Sequence, residues 1–146
     1  MTVNKLVPVD AKVYGDAREW ALASFYHIER TTHDWALYDR ASDLVVGNME
    51  ISVKSSGFTL MSGALCEGLE EFDDIWALYR SRVHSNTFVY VTEDFTAYMM
   101  NIEEFEEFVF TFCRTERESS KNGGAVKIRC RHESKKMVRW LAARAV

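Results

Sequence analysis

The sequence of 146 residues has few residues that interrupt secondary structure, with one proline and seven glycines, and it has no long apolar run. A membrane-spanning helix needs about 20 consecutive apolar residues, so we expect no membrane partner. A chain that is 47% hydrophobic is neither collagen-like nor disordered. Residues 1–10 lack the apolar core of a secretory signal. We therefore expect one cytoplasmic domain spanning residues 1–146.

Cysteine is also scarce. Cys66, Cys113 and Cys130 are odd in number and far apart in the sequence. Their spacing matches neither a disulfide framework nor a zinc site. We expect buried thiols in a reducing compartment.

The charge of the chain is unevenly distributed. The formal net charge is −4, but residues 121–146 alone carry +7 and the first 120 residues carry −11. A chain polarised in this way can bind a polyanion at one end although its average charge is negative. The composition therefore leaves a nucleic-acid partner open.

The spacing of apolar and turn residues predicts alternating helices and strands. In chain order it predicts a helix over residues 10–30, a strand over 35–38, a hairpin over 43–54, a loop with room for a short strand over 55–68, a helix over 69–79, a hairpin over 87–100, a helix after Asn101, a strand over 125–131 and a helix after Ser134. Asn101 followed by Glu104 is a capping-box pattern. The predicted fold class is α/β (α+β), a mixed β-sheet flanked by helices in a single domain.

The first hairpin carries the strongest pattern for chemistry. Alternation along a strand places Glu50, Ser52 and Lys54 on one face. Asp43 begins the partner strand, opposite the end of the hairpin that holds Ser52 and Lys54. Two carboxylates and a lysine suit magnesium-dependent cleavage of a phosphodiester, because hard oxygen ligands hold the ion while the lysine stabilises negative charge.

A structural interpretation of the same hairpin also stands. Glu50 and Lys54 would then form a solvated row of charges on an edge strand. Such a surface ion pair is worth less than about 1 kcal/mol.

The hairpin resembles the PD-(D/E)XK nuclease superfamily of restriction enzymes, resolvases and phage nucleases. The resemblance rests on residues 42–46 (Ser-Asp-Leu-Val-Val), the turn, and residues 51–56 (Ile-Ser-Val-Lys-Ser-Ser). It implies a restriction-endonuclease-like fold, DNA as partner and Mg²⁺ or Mn²⁺ as cofactor. It also implies that Asp43 binds the metal, that Lys54 is the catalytic lysine and that Glu19 is the acid of the first helix.

Ser52 stands where this superfamily usually has an acid or glutamine. In one interpretation Glu50, about 7 Å back along the strand, supplies the second metal ligand beside Asp43. The catalytic set is then Asp43, Glu50, Ser52, Lys54 and Glu19. In the other interpretation the protein is an inactive nuclease-fold module that binds nucleic acid or a protein.

Two other aspartates compete with Asp43 for the metal. Asp34 lies 20 residues before Lys54, a spacing that the superfamily also tolerates, and Asp39 lies between them. We favour Asp43 because the hairpin turn brings it back beside Lys54.

The basic end of the chain predicts contacts to the DNA phosphate backbone. The residues predicted to make them are Lys127, Arg129, Arg131, Lys135, Lys136 and Arg139. Lysines in a first helical turn oppose the helix dipole, yet with the helix N-terminus they suit a phosphate. The alternative is that these basic residues only balance the negative charge of the first 120 residues. A double-strand cut would require a homodimer, since one such site cuts one strand.

Overall fold

The computed structural model describes residues 5–9, 17–28, 42–117, 124–130, 134–144 and 146. The helices in these ranges are α1 (Ala17–Phe25), α2 (Phe72–Arg82), α3 (Ile102–Phe112) and α4 (Lys135–Ala142). The strands are β1 (Leu44–Val46), β2 (Met49–Lys54), β3 (Gly57–Met61), β4 (Thr87–Val91), β5 (Ala97–Met100), β6 (Arg114–Arg117) and β7 (Val126–Arg129). The predicted mixed α/β class is confirmed.

The first sheet has four strands in the order β1-β2-β4-β5. β1 and β2 form the predicted antiparallel hairpin, whose turn contains Gly47 at a φ of 58°. β4 and β5 form the second predicted hairpin. β2 and β4 run parallel, which requires a long crossover, and the chain between them contains β3 and α2.

A second, antiparallel sheet has the order β3-β7-β6. The first sheet is the predicted mixed sheet, and the second sheet was not predicted. β6 has the sequence Arg-Thr-Glu-Arg, and three of its four side chains are exposed. A strand without apolar alternation has no sequence signal, so β6 was not predicted.

Two apolar clusters hold the elements together. Val89 and Val91 belong to a cluster that includes Leu22 of α1, whereas Phe88 and Tyr90 belong to a larger one beneath α2, α3 and α4. Every residue of β4 is buried, as expected for a strand covered on both faces. α1 and α2 therefore cover opposite faces of the sheet that carries the first hairpin.

Two predicted helix starts are confirmed in atomic detail. Asn101 and Glu104 make both hydrogen bonds of a capping box at the start of α3. The Ser134 hydroxyl accepts a hydrogen bond from the backbone N–H of Met137 in α4. The predicted strand over residues 35–38 and the residues Asp34, Asp39 and Arg131 lie outside the described residues.

Candidate active site

A cavity of about 870 Å³ opens beside the end of β2. We call it the β2 cavity and define it by Asp43, Ser52, Lys54, Phe58 and Tyr79, which all line it. Residues of β2, β3 and α2 line the cavity, and Asp43 lies directly before β1. Three of the residues singled out in the sequence therefore share one cavity.

Backbone pairing positions Asp43 against the strand that carries Lys54. The pairing of Leu44 with Ile51 sets the register of the hairpin, and the Asp43 N–H donates to the Ile51 carbonyl at 2.7 Å. The Asp43 carboxylate accepts a hydrogen bond from the Val53 N–H, with Oδ2 and N 2.7 Å apart. The carboxylate is thus held at the strand end by a backbone donor.

The Lys54 ammonium lies against two aromatic rings. Its Nζ is 4.9 Å from the centre of the Phe58 ring and 5.8 Å from that of Tyr79, both within the range of a cation–π contact. Burial lowers the pKa of Lys54, while the negative charges of Asp43 and Glu19 act to raise it. Glu19 of α1 is therefore within electrostatic reach of the same ammonium.

Tyr79 is a site residue that the sequence did not reveal. It is 4% exposed and lines the β2 cavity, and its hydroxyl has no hydrogen-bond partner among the described residues. Burial, followed by the negative charge of Asp43, raises the pKa of this hydroxyl. A buried hydroxyl without a partner costs free energy, and Tyr79 lines the same cavity as Asp43. In the sequence Tyr79 was one more aromatic residue on the apolar stripe of a helix.

Glu50 has a different environment. Its N–H donates to the Asn86 Oδ1 at 2.9 Å and its carbonyl accepts from the Asn86 N–H at 3.0 Å. These bonds join β2 to the segment before β4. Although Glu50 is half-buried, it is not one of the residues that line the β2 cavity. Its role as a metal ligand stays a prediction.

The donor set of the β2 cavity can be compared with what metals require. Within the ranges that the structure describes, no three His, Cys, Asp or Glu side chains are grouped closely enough to hold a metal ion. The cavity instead offers the Asp43 carboxylate and the buried Ser52 hydroxyl. Mg²⁺ is commonly held by one or two carboxylates together with waters and substrate phosphates. Oxygen donors in this number fit magnesium bound with a phosphate substrate.

The basic strand β7 is less cationic than its sequence suggested. Glu116 of β6 lies opposite Lys127, and its Oε2 accepts from the Arg129 Nε at 2.8 Å. Hydrogen bonds from Arg114 and Arg129 lower the pKa of Glu116. The acid therefore offsets part of the positive charge on this strand.

The first turns of α4 keep their positive charge in solvent. Lys135, Lys136 and Arg139 are all exposed, and the helix begins behind the Ser134 cap. Of the predicted phosphate-binding residues, these three present their charge to solvent near a helix N-terminus.

No protein-family model matches the chain, and neither a curated protein nor a solved structure matches it significantly. In the part of the chain that the structure describes, no helix is long and apolar enough to cross a membrane. The side chains of the β2 cavity are therefore the main basis for assigning a function.

Proposed function

We propose that the protein is a metal-dependent endonuclease that hydrolyses phosphodiester bonds in DNA, with Mg²⁺ or Mn²⁺ as cofactor. The observation that carries the proposal is the meeting of Asp43, Lys54 and Tyr79 in one cavity. An acid, an amine and a buried hydroxyl that has no partner among the described residues form a set that can bind a metal and a phosphate together. The resemblance of the hairpin to PD-(D/E)XK nucleases supports the same chemistry.

The charges near Lys54 explain why a divalent cation is part of the proposal. Asp43 and Glu19 place two carboxylates near one ammonium. This combination alone would repel a phosphate, because acids outnumber bases. Binding of a divalent cation beside Asp43 makes the site attractive to phosphate.

The five residues that define the β2 cavity would have different roles in phosphodiester hydrolysis. Asp43 would hold the metal with Ser52 as a neutral neighbour, and the metal would supply an activated water and neutralise developing charge. Lys54 stabilises the negative charge on the phosphate and orients the attacking water. Tyr79 donates its orphan hydroxyl hydrogen to a phosphate oxygen. Phe58 and Tyr79 restrict the Lys54 side chain to one direction.

The exposed cations of α4 would bind the DNA backbone outside the cavity. Lys135, Lys136 and Arg139 contribute affinity for phosphates without reading the base sequence. This division leaves cleavage to the β2 cavity and non-specific binding to α4.

Plasmid cleavage tests the proposal. Supercoiled plasmid incubated with the protein and Mg²⁺ or Mn²⁺ should become nicked, and a chelator should stop the reaction. Lys54→Ala should abolish nicking, whereas Lys5→Ala, an exposed lysine paired with Asp94, should not. Absence of nicks with either metal, or nicks that survive Lys54→Ala, would overturn the proposal.

One observation favours a second function. Ser52, which replaces the usual acid, is 2% exposed, so a neutral hydroxyl is built into the cavity wall. The protein would then bind DNA or a protein partner without cutting. Binding that weakens steeply with salt and produces no nicks under any metal would select this alternative.

A further inference from the structure

Two cysteines that are distant in sequence meet at one end of the second sheet. Cys113 follows α3 and Cys130 follows β7, and their sulfur atoms are 2.8 Å apart. All three cysteines are free thiols, and Cys66 is buried elsewhere in the core. Of the three cysteines, Cys113 and Cys130 are therefore the two whose sulfur atoms are in contact.

Strand pairing places the two cysteines directly opposite each other. Arg114 pairs with Arg129 in the β6–β7 ladder, so Cys113 and Cys130 occupy the next position. Residues opposed across antiparallel strands have Cα atoms about 4.5 or 5.5 Å apart. A disulfide requires about 4.4–6.8 Å, so two residues that continue this register have the separation that the bond needs.

One of the two thiols is accessible to a small molecule. Cys130 lines an open cavity of about 450 Å³ together with Ser56, Gly57, Glu116 and Arg129. Both cysteines are half-buried and pack against the larger apolar cluster, but of the two only Cys130 lines this cavity. A reagent in this cavity would reach Cys130 first and leave Cys113 as the second, resolving thiol.

We propose that Cys113 and Cys130 form an oxidative modification site, closed by exchange with a low-molecular-weight disulfide such as oxidised glutathione. The Cys130 thiolate attacks one sulfur of the small disulfide, forms a mixed disulfide and releases one small thiolate. Cys113 then loses its proton and its sulfur attacks the Cys130 sulfur, releasing the second small thiolate. The two cysteine protons end on the two released thiols, so the exchange is balanced.

The bond would reinforce an edge strand of the second sheet. β6 is an edge strand with mostly exposed side chains, and it pairs only with β7 among the described strands. Glu116 of β6 forms an ion pair with Arg129 of β7 and a second one with Arg114 within β6 itself. A covalent link at one end of the β6–β7 ladder would hold β6 in place when salt screens these pairs. This proposal does not depend on the nuclease activity.

Thiol counting by alkylation and mass spectrometry tests the site. Reduced protein unfolded in denaturant should show three alkylated cysteines. After native incubation with oxidised glutathione it should show one, and a peptide linking Cys113 to Cys130 should appear. Cys66 should remain the alkylated residue, because it is buried and its Sγ contacts the Ser62 carbonyl.

Serine variants separate the two steps. Cys113→Ser should stop at a mixed disulfide of Cys130 with glutathione. Cys130→Ser should form no internal disulfide, and its Cys113 should react with oxidised glutathione more slowly than Cys130 does in Cys113→Ser. Wild-type protein that keeps three reactive thiols, or that links through Cys66 or between two chains, would overturn the proposal. The wild-type measurement decides the matter even where a variant fails to fold.

Discussion

The Asp43 carboxylate accepts a hydrogen bond from the backbone N–H of Val53, the residue next to Lys54. The acid of one strand is thereby tied to the backbone of the strand that carries the lysine. A backbone donor orients the carboxylate, so no second side chain is needed to hold it. Asp43 therefore has two roles that substitutions can separate: its oxygen accepts a structural hydrogen bond, and its negative charge would bind the metal.

Substitution of Asp43 should divide stability from activity. Asp43→Asn keeps an oxygen that can accept from the Val53 N–H, whereas Asp43→Ala loses the acceptor. We expect Asn to stay close to wild type in urea unfolding and Ala to lose about 1–2 kcal/mol. Both should reduce plasmid nicking by about tenfold to a hundredfold or more, because both lose the metal-binding charge. Nicking retained in Asp43→Asn would exclude Asp43 as the metal ligand.

Removal of the Tyr79 hydroxyl should stabilise the protein and impair its function. The hydroxyl is buried without a described partner, so Tyr79→Phe should raise the free energy of unfolding by about 1 kcal/mol. It should also weaken phosphate binding, measured by calorimetry with inorganic phosphate and Mg²⁺. Tyr26→Phe, at a tyrosine that does not line the β2 cavity, is the matched control and should leave binding unchanged. A destabilised Tyr79→Phe would show instead that the hydroxyl is already satisfied.

Lys54 should make stability rise with pH in the alkaline range. Burial lowers the pKa of its ammonium below the ordinary value of 10.5. Below the folded pKa the amine is charged in both states, so the cost of burying the charge is present in full. As the pH rises towards 10.5, the folded protein releases this proton before the unfolded chain does, and stability increases.

Lys54→Met should therefore be more stable than wild type near neutral pH, by about 1 kcal/mol. The difference in urea unfolding should shrink as the pH rises towards 10.5. Lys5→Met, at an exposed lysine, is the control and should show no such trend. A constant difference across this range would mean that burial of the charge does not determine the stability of the site.

Oxidation of Cys113 and Cys130 should stabilise the chain. The two residues are 17 apart in sequence, and closing a loop of this size is worth about 3 kcal/mol in the chain-entropy model. Urea unfolding of oxidised and reduced protein gives the difference directly. The oxidised form should also lose less stability in high salt, because the disulfide links β6 to β7 independently of the ion pair between Glu116 and Arg129. Equal stability of the two forms would show that the link does not constrain the unfolded chain in the expected way.

The exposed lysines of α4 should govern the salt dependence of DNA binding. Replacing Lys135 and Lys136 with serine should reduce the slope of log affinity against log salt by about 2, since each phosphate contact contributes about 0.9. Lys5→Ser tests the effect of losing a charge elsewhere. An unchanged slope in the double variant would move the DNA contact away from α4.

Local features of the fold were predictable because short stretches of sequence specify them. The Gly47 turn, the second hairpin and the capping box of Asn101 and Glu104 depend on neighbouring residues and were confirmed. β6 and the division into two sheets were missed, because a polar edge strand is held by its partner rather than by its own apolar pattern.

The sequence by itself determined that Asp43 returns beside Lys54, because a two-residue turn dictates which residues of a hairpin face each other. Tertiary structure alone decided that Tyr79 lines the same cavity, that the charge of Glu19 acts on Lys54 and that Cys113 meets Cys130. These contacts join elements that are far apart in the chain. No local propensity encodes them, since they arise only when helices and sheets pack to bury their apolar faces.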